Sequence, residues 1–128
     1  MTTLCLDFGN TRLKAAIFTN DMLGEEIMLP DDSIETIGQI LEKWKPGKSI
    51  LSSVINHNEA IEQHLSGKTN FHKLSHQTKL PFTTPVGKPE TIGADRLALC
   101  AASVHLFPGK NNLAIGIGTC ITYNFINN

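Results

Sequence analysis

The sequence predicts an α/β fold in which three strands come first and helices then alternate with further strands. Apolar runs with β-branched and aromatic residues predict strands over residues 2–8, 12–19 and 22–29. Apolar residues at helical spacing predict a helix over residues 34–44. The 128 residues are 41% apolar and 18% charged, which allows a buried core and leaves room for one domain of ordinary size.

Turn and cap residues divide the first half of the chain. Gly9–Thr11 and Asn20–Asp21 predict hairpin turns, so the first three strands form a meander. Asp32 and Glu35 predict a capping box, and Pro46–Gly47 ends the helix. The residues that define the apolar face of this helix are Ile34, Ile37, Ile40, Leu41 and Trp44.

The middle of the chain continues the alternation of strands and helices. Residues 49–55 predict a buried strand, and Asn56 with Glu59 repeats the capping pattern before a short helix. Residues 71–75 predict a short strand, and three prolines predict an extended loop over residues 81–92. The short helix is marked by Ala60, Ile61, His64 and Leu65.

The last third predicts a helix and a second hairpin. The helix runs from Gly93 to Pro108–Gly109 and is apolar nearly all round, so we expect it to be buried. Residues 113–117 and 120–126 predict two strands around Gly118–Thr119. These strands are more apolar than a solvent-facing hairpin should be, so we expect them to dimerise, to pack on the preceding residues or to aggregate.

Composition narrows the classes of function. The net charge is -1 and no stretch collects Lys and Arg, so we expect neither nucleic-acid nor membrane-surface binding, and small molecules are the better partners. The three cysteines form no C-x-x-C pair, which favours a reduced, cytoplasmic protein, and only Cys120 merits a reactivity test. The histidines form no H-E-x-x-H motif, and His57 and His64, seven apart on a predicted helix face, have no matching acidic ligand.

The first segment with chemical potential is Asp7–Lys14, with the sequence DFGNTRLK. A carboxylate at the end of a strand, followed by a glycine turn, suits a phosphate held by backbone N–H groups and a divalent cation held by the acid. The same string is compatible with a plain hairpin turn, with Asp7 at its polar edge and Lys14 in solvent.

Two further segments contain residues that could act on a phosphate or its alcohol acceptor. Gly93–Arg96 offers Asp95 as a base for an alcohol and Arg96 to neutralise phosphoryl charge. Alternatively, Asp95 only complements the helix dipole and Arg96 pairs with Asp95 or Glu90. Gly116–Thr122 places small residues and a hydroxyl between two strands, as a phosphate contact or as an ordinary β-turn.

Together the three segments resemble the type III pantothenate kinases of bacteria, members of the actin-like and sugar-kinase-like ATPase superfamily. That family carries D-x-G-N-T/S-x-x-K, then G-x-D-R, then D-x-G-T-A-x-T, in the order found here. The resemblance implies a ribonuclease-H-like fold with a mixed sheet. It also implies that residues 1–109 form a first lobe and residues 110–128 the first strands of a second.

The resemblance further implies an activity and its residues. The activity is ATP-dependent phosphorylation of pantothenate to 4'-phosphopantothenate, the first step of coenzyme A biosynthesis, with Mg²⁺ and a monovalent cation, K⁺ or NH₄⁺. Asp95 is the implied catalytic base, Arg96 orients the acceptor, and Asp7 holds Mg²⁺. The implied ATP and phosphate contacts are Asp7, Gly9, Asn10, Thr11, Arg12, Lys14 and Thr119. The implied pantothenate contacts are Gly93, Ala94, Asp95 and Arg96. The family works as a homodimer with the acceptor pocket near the subunit contact.

The chain departs from the family pattern in three respects. Gly116 replaces the aspartate of the monovalent-cation site, and Val86, seven residues before Gly93, stands where an aromatic pantothenate contact is common. Family members are also about twice as long, so we expect little or no kinase activity from these 128 residues alone. Gly116 and Val86 favour a catalytically impaired paralogue that acts as a binding or regulatory module. Another alternative is a related small-molecule phosphotransferase or phosphohydrolase.

Overall fold

The computed structural model describes residues 1–128, which form seven strands, three α-helices and one 3₁₀ turn. The strands are β1 (Thr2–Phe8), β2 (Leu13–Thr19), β3 (Met22–Leu29), β4 (Lys48–Ser53), β5 (Asn70–Lys73), β6 (Asn112–Ile117) and β7 (Ile121–Ile126). The helices are α1 (Ile34–Trp44), α2 (Ala60–Lys68) and α3 (Ala94–Leu106), and the 3₁₀ turn is Pro89–Thr91. These elements confirm the predicted order, with strand ends shifted by one or two residues.

The chain divides into two compact units, Met1–Lys73 and Leu74–Asn128. We call them the amino-terminal unit and the carboxy-terminal unit and describe each by itself. The lobe boundary predicted at residue 109 is a different division of the chain, and it stays a prediction.

The amino-terminal unit is built on a five-stranded mixed sheet in the order β3-β2-β1-β4-β5. β2 runs antiparallel to both of its neighbours, while β4 and β5 are parallel to β1. The meander turns at Asn20 and Asp21, whose φ values of 50° and 64° fit a two-residue hairpin turn and suit these two residue types. The sheet confirms the α/β prediction, and its strand order is that of a ribonuclease-H-like fold.

The core of this unit lies on one face of the sheet. Leu4 and Leu6 point to this face from β1, directly opposite Ile17 and Ala15 of β2. Both helices cover this face with fully or nearly buried side chains, because their apolar residues recur at helical spacing. The helical contributors are Ile37, Ile40, Leu41, Ile61 and Leu65. The other face of β1 carries Thr3, Cys5 and Asp7, and the candidate site described below lies on it.

The helix starts differ from the predicted capping boxes. Ser33, rather than Asp32, caps α1, and its hydroxyl accepts the Thr36 N–H at 3.1 Å. Asp32 instead accepts the backbone N–H of Asn58 at 2.7 Å, and Asn58 accepts the Ala60 N–H at 3.1 Å. The prediction was wrong because several Asx and Ser residues lie next to each other here, and tertiary contacts decide which of them caps.

The carboxy-terminal unit packs α3 against the hairpin of β6 and β7. Within α3 only Ala94 and Leu97 are buried, so the prediction of a buried helix was wrong. The helix is apolar nearly all round, but the hairpin covers one side of it, and Leu106 is exposed. The predicted proline loop contains the 3₁₀ turn. No helix of the chain is both long and apolar enough to span a bilayer.

The hairpin in this unit exposes an apolar face. β6 and β7 pair in register, so that three apolar pairs stand directly opposite each other on one side. All six of these side chains are exposed: Leu113 with Phe125, Ile115 with Tyr123, and Ile117 with Ile121. The opposite face of the hairpin carries Ala114 and Asn124, which are buried. The hairpin thus exposes the apolar residues that the sequence singled out, and the expectation that it dimerises, packs or aggregates stays a prediction.

Candidate functional site

The turn between β1 and β2 is tight and depends on glycine. The Gly9 N–H donates to the Arg12 carbonyl at 3.0 Å, and this bond closes the loop. A Cβ at position 9 would lie 3.2 Å from the Arg12 carbonyl oxygen, so any side chain there would force the loop apart. Asn10, Thr11 and Arg12 are exposed at the tip. The Gly9 amide is thus used within the turn, and a ligand would meet the following three residues.

Asp7 lies in a polar row that crosses the sheet beside this turn. It stands directly opposite Lys14 in the antiparallel β1–β2 pair and beside Ser52 in the parallel β1–β4 pair. We call Lys14, Asp7 and Ser52 the Asp7 row. Side chains at matched positions of neighbouring strands point to the same face, here the one away from α1 and α2. The row therefore presents a cation, a carboxylate and a hydroxyl together.

Sequence reasoning missed Ser52, the third member of the row. Its side chain is nearly buried, at 8% exposure, and its Oγ has no hydrogen-bond partner in the protein. Buried hydroxyls are almost always bonded, so this one is unusual. The only available signal was a pair of adjacent serines inside an apolar strand, SILSSVI, and one of that pair must face away from the core.

A divalent cation that accompanies a nucleotide fits this row. Mg²⁺ in such sites uses one or two carboxylates, the phosphates of the substrate and several waters. Asp7 supplies the carboxylate, and the unpartnered Ser52 hydroxyl suits a bound water. No group of three or more His, Cys, Asp or Glu side chains in the chain is arranged to hold a metal. The row therefore suits an ion brought by a phosphate ligand rather than a permanently bound metal.

The Gly93–Arg96 segment begins α3, and its two charged side chains behave differently. Asp95 is exposed in the first helical turn, where its Oδ1 accepts the Arg96 N–H at 2.9 Å. The Arg96 guanidinium donates from Nε to Asn124 Oδ1 at 2.6 Å and from Nη2 to the Tyr123 carbonyl at 3.1 Å. Asn124 in turn donates to the Ala114 carbonyl at 3.2 Å. Arg96 thus ties α3 to the hairpin rather than pairing with a carboxylate.

A cavity of about 850 Å³ opens in the carboxy-terminal unit. Arg96 and Val86 line it, together with Lys110, Asn112 and Cys100. Burial raises the pKa of the Cys100 thiol, and the nearby Arg96 charge offsets part of that effect. Gly93, Ala94 and Asp95 are not among the lining residues. Of the four predicted pantothenate contacts, the structure therefore brings Arg96 alone to the cavity.

The turn of the second hairpin is closed by a bond from the Gly118 N–H to the Cys120 carbonyl at 3.1 Å. Thr119 and Cys120 are exposed there. Gly116 lies two residues earlier, opposite Thr122, and a Cβ added to it would be 2.7 Å from Thr122 Oγ1. The Thr122 hydroxyl therefore occupies the space that a side chain at position 116 would need.

A second polar network in the amino-terminal unit involves His57. This residue precedes α2 and does not share a helix face with His64, contrary to prediction. Its ring is buried, with Nδ1 at 2.9 Å from Ser53 Oγ and Nε2 at 2.8 Å from Glu62 Oε1. Lys73 Nζ also donates to Glu62 at 2.7 Å. Burial alone would raise the pKa of Glu62, but the hydrogen bonds from Lys73 and His57 prevail and lower it.

Comparison with known proteins decides the family. The model of the family described as type III pantothenate kinase matches residues 3–128, which is nearly the whole chain. The chain belongs to the type III pantothenate kinase family. The predicted resemblance is thus confirmed, and with it the actin-like ATPase class of the fold.

Curated type III pantothenate kinases from several bacteria align along most of the chain. The protein of Christiangramia forsetii is 40% identical over 123 residues, covering 94% of this chain and 51% of its own length. That of Phocaeicola vulgatus is 36% identical over 124 residues, covering 96% and 51%. That of Chlorobaculum tepidum is 34% identical over 134 residues, covering 96% and 50%. The chain therefore spans about half the length of the curated type III pantothenate kinases it matches.

Proposed function

We propose that this chain supplies phosphate-binding and acceptor-binding elements for ATP-dependent phosphorylation of pantothenate to 4'-phosphopantothenate, which opens coenzyme A biosynthesis. The observation that carries the proposal is the Asp7 row beside the Gly9 turn. A carboxylate, a lysine and an unpartnered hydroxyl on one sheet face are a suitable setting for a phosphate chain and its cation. Membership of the type III pantothenate kinase family supports pantothenate as the acceptor substrate.

In the proposed reaction the amino-terminal unit holds the nucleotide. Exposed residues 10–12 approach the phosphates, and Lys14 contributes positive charge from the opposite strand. Asp7 would hold Mg²⁺, which when bound neutralises charge on the phosphates. Catalysis in this class is mostly positioning and electrostatic stabilisation, so the fixed register of the row is what the chain contributes.

The carboxy-terminal unit provides the acceptor side. The terminal hydroxyl of pantothenate attacks the γ-phosphorus, ADP leaves, and Asp95 takes the hydroxyl proton. The Asp95 carboxylate suits this role because it is exposed and accepts only a local backbone bond. Arg96 uses two of its five N–H donors on the hairpin, which fixes the guanidinium at the cavity where it would orient the acceptor.

Several parts of the proposal come from the family alone. These are a homodimer, a cytoplasmic location, and the roles of Thr119, Gly93 and Ala94. The monovalent cation is a separate case, because Gly116 has no side-chain oxygen and Thr122 fills the adjacent space. The residues at this turn do not fit the family's cation site, and the proposed reaction uses none there.

A second candidate function is a binding or regulatory module without turnover. Gly116 and Val86 favour it, since both replace side chains that the family uses for cation and acceptor binding. Both candidates keep the fold, and they differ in whether Mg²⁺·ATP and pantothenate bind.

Binding can be followed residue by residue, because a 14.0 kDa chain suits amide NMR. Titration with Mg²⁺·ATP should shift the amides of Gly9–Arg12, and pantothenate should shift those around Arg96. Asp7→Asn should abolish the Mg²⁺·ATP response and leave the pantothenate response in place. Absence of both responses in the unaltered chain would reject the kinase proposal in favour of the module.

Turnover is a separate measurement on the same chain. Kinases of this kind run at about 1–100 per second, and we expect the 128 residues alone to form ADP far more slowly with ATP, Mg²⁺, K⁺ and pantothenate. A rate within that range would overturn this expectation. A panel of other small alcohols in the same assay identifies a related phosphotransferase, which would respond to one of them and not to pantothenate.

A further inference from the structure

The two buried serines of β4 differ in how their hydroxyls are satisfied. Ser49 is 2% exposed and faces the core side of the sheet, where its Oγ bonds to Thr69 Oγ1 at 2.6 Å. Ser52 is similarly buried but faces the other side, and its Oγ has no partner. A buried hydroxyl without a partner loses its bonds to water and gains nothing in exchange, so it lowers the stability of the folded chain.

The position of Ser52 points to a ligand. It is the register partner of Asp7 on the neighbouring parallel strand, and such strands lie about 4.8 Å apart. It also lies near the carboxyl end of β4, at the same level as the last residues of β1 before the Gly9 turn. The one unpartnered serine hydroxyl of this strand is therefore next to the carboxylate proposed to hold Mg²⁺.

We infer that the Ser52 hydroxyl hydrogen-bonds a water molecule in the shell of the divalent cation that Asp7 holds, and so positions that cation. This inference rests on the proposed function, because it requires Mg²⁺·ATP at the Asp7 row. Mg²⁺ keeps several waters in nucleotide sites. Such a water donates hydrogen bonds, and the Ser52 hydroxyl oxygen can accept one of them. Ser52 does not touch the reacting atoms, so it is a positioning residue.

The test compares the affinity for ATP with Mg²⁺ and with EDTA, both read from amide NMR shifts. Ser52→Ala should weaken Mg²⁺·ATP binding about tenfold, the lower end for loss of an outer-shell partner of a metal. It should leave the weak binding of metal-free ATP unchanged. Ser52→Thr keeps a hydroxyl and should restore most of the effect of Mg²⁺.

The urea unfolding midpoint of Ser52→Ala distinguishes a positioning role from a structural one, because only a structural role predicts a lower midpoint. Removing an unpartnered buried hydroxyl relieves a cost, so Ser52→Ala should keep or raise the urea midpoint. Ser49→Ala is the matched control on the same strand. It breaks the bond to Thr69 and should lower the midpoint, while leaving Mg²⁺·ATP affinity as it was.

Two further results separate the inference from the proposal beneath it. If Asp7→Asn keeps full Mg²⁺-dependent binding, the proposed metal site is wrong and the inference falls with it. If Asp7→Asn loses that binding while Ser52→Ala does not, only the inference is overturned. Equal losses by Ser52→Ala with Mg²⁺ and with EDTA, together with a lower urea midpoint, would also overturn it in favour of a structural role.

Discussion

The chain contains two hairpins with a related turn, and they differ in what surrounds them. In D-x-G-N-T the turn glycine is Gly9, and in G-x-G-T it is Gly118, so Asp7 and Gly116 hold equivalent places two residues earlier. The first hairpin lies inside a five-stranded sheet with a helix-covered face. The second is a two-stranded sheet whose apolar face is exposed.

This contrast shows what each hairpin can do by itself. The first has core packing on one face and the Asp7 row on the other, so its turn lies beside Asp7, Lys14 and Ser52. The second has no carboxylate at the matching place, and Arg96 ties it to α3 through hydrogen bonds to Asn124 and the Tyr123 carbonyl. We therefore expect the nucleotide chemistry to depend on the first hairpin and association to depend on the second.

Two leucines at matching places of the two hairpins should differ most in their effect on stability. Leu4 is fully buried and Leu113 is 58% exposed. Leu4→Ala should destabilise the chain by about 2–5 kcal/mol, because it removes packing and leaves a cavity. Leu113→Ala should change stability by no more than about 0.5 kcal/mol, as exposed substitutions usually do. Urea unfolding measures both, and equal losses would show that the hairpins are equally packed.

The next effect concerns the missing carboxylate. Gly116→Asp introduces the aspartate of the motif that this segment resembles, but brings its Cβ within 2.7 Å of Thr122 Oγ1. We expect a loss of about 1–3 kcal/mol from this overpacking. Adding Thr122→Ala removes the hydroxyl and should recover most of that stability in the same unfolding assay. If Gly116→Asp alone is as stable as the original chain, then Thr122 rotates away freely and the two hairpins are more alike than the structure indicates.

The two hairpins should also differ in self-association. The exposed apolar face of β6 and β7 should associate with a second copy, and light scattering detects it. The paired change Ile115→Lys with Tyr123→Glu puts opposite charges directly across the hairpin, so pairing of the strands is kept. It should weaken association at least about tenfold, or about 1.4 kcal/mol.

The control for this test places the same two charges elsewhere, as Gln39→Glu with Gln63→Lys at exposed positions of the helices. These changes should leave association as it was. A monodisperse monomer from the unaltered chain at all concentrations would contradict the prediction.

The smallest effect is an acid dependence carried by the amino-terminal unit. The pKa of Glu62 is below its ordinary value of 4.5 in the folded chain, so its stabilisation is complete above pH 4.5 and is lost as the pH falls further. Glu62→Gln should cost about 0.5–1 kcal/mol at neutral pH, the upper range for a partly exposed ion pair. The difference between the two chains should shrink below pH 4.5 in urea unfolding. If the difference in stability between the two chains stays constant with pH, the ionisation of Glu62 is not its source.

Much of the fold was predictable from periodicity and turn chemistry. The meander follows from alternating residues and the Asn20–Asp21 turn, and α1 follows from its apolar spacing and Pro46–Gly47. The helix N-caps were not predictable because neighbouring Asx and Ser side chains can each bond the free N–H groups at the start of a helix. Burial of α3 was overestimated because an apolar sequence does not say what packs against it.

The candidate site was predictable only where a motif marks it. Asp7, Lys14 and the Gly9 turn stand in one string, so the sequence pointed to them directly. Ser52 and Asn124 lie far along the chain and reach their partners through strand register and side-chain bonding. A short motif carries no information about such pairings, and only the folded chain shows them.

We propose that Asp7 holds the divalent cation of a bound nucleotide beside the Gly9 turn, and a paramagnetic ion can test this proposal. Mn²⁺·ATP replaces Mg²⁺·ATP, and the broadening of each amide signal reports its closeness to the ion. The proposal predicts that the amides of Gly9–Thr11 broaden in the unaltered chain and that Asp7→Asn removes the broadening. Sharp signals at Gly9–Thr11 in the unaltered chain, or the same broadening in Asp7→Asn, would contradict it.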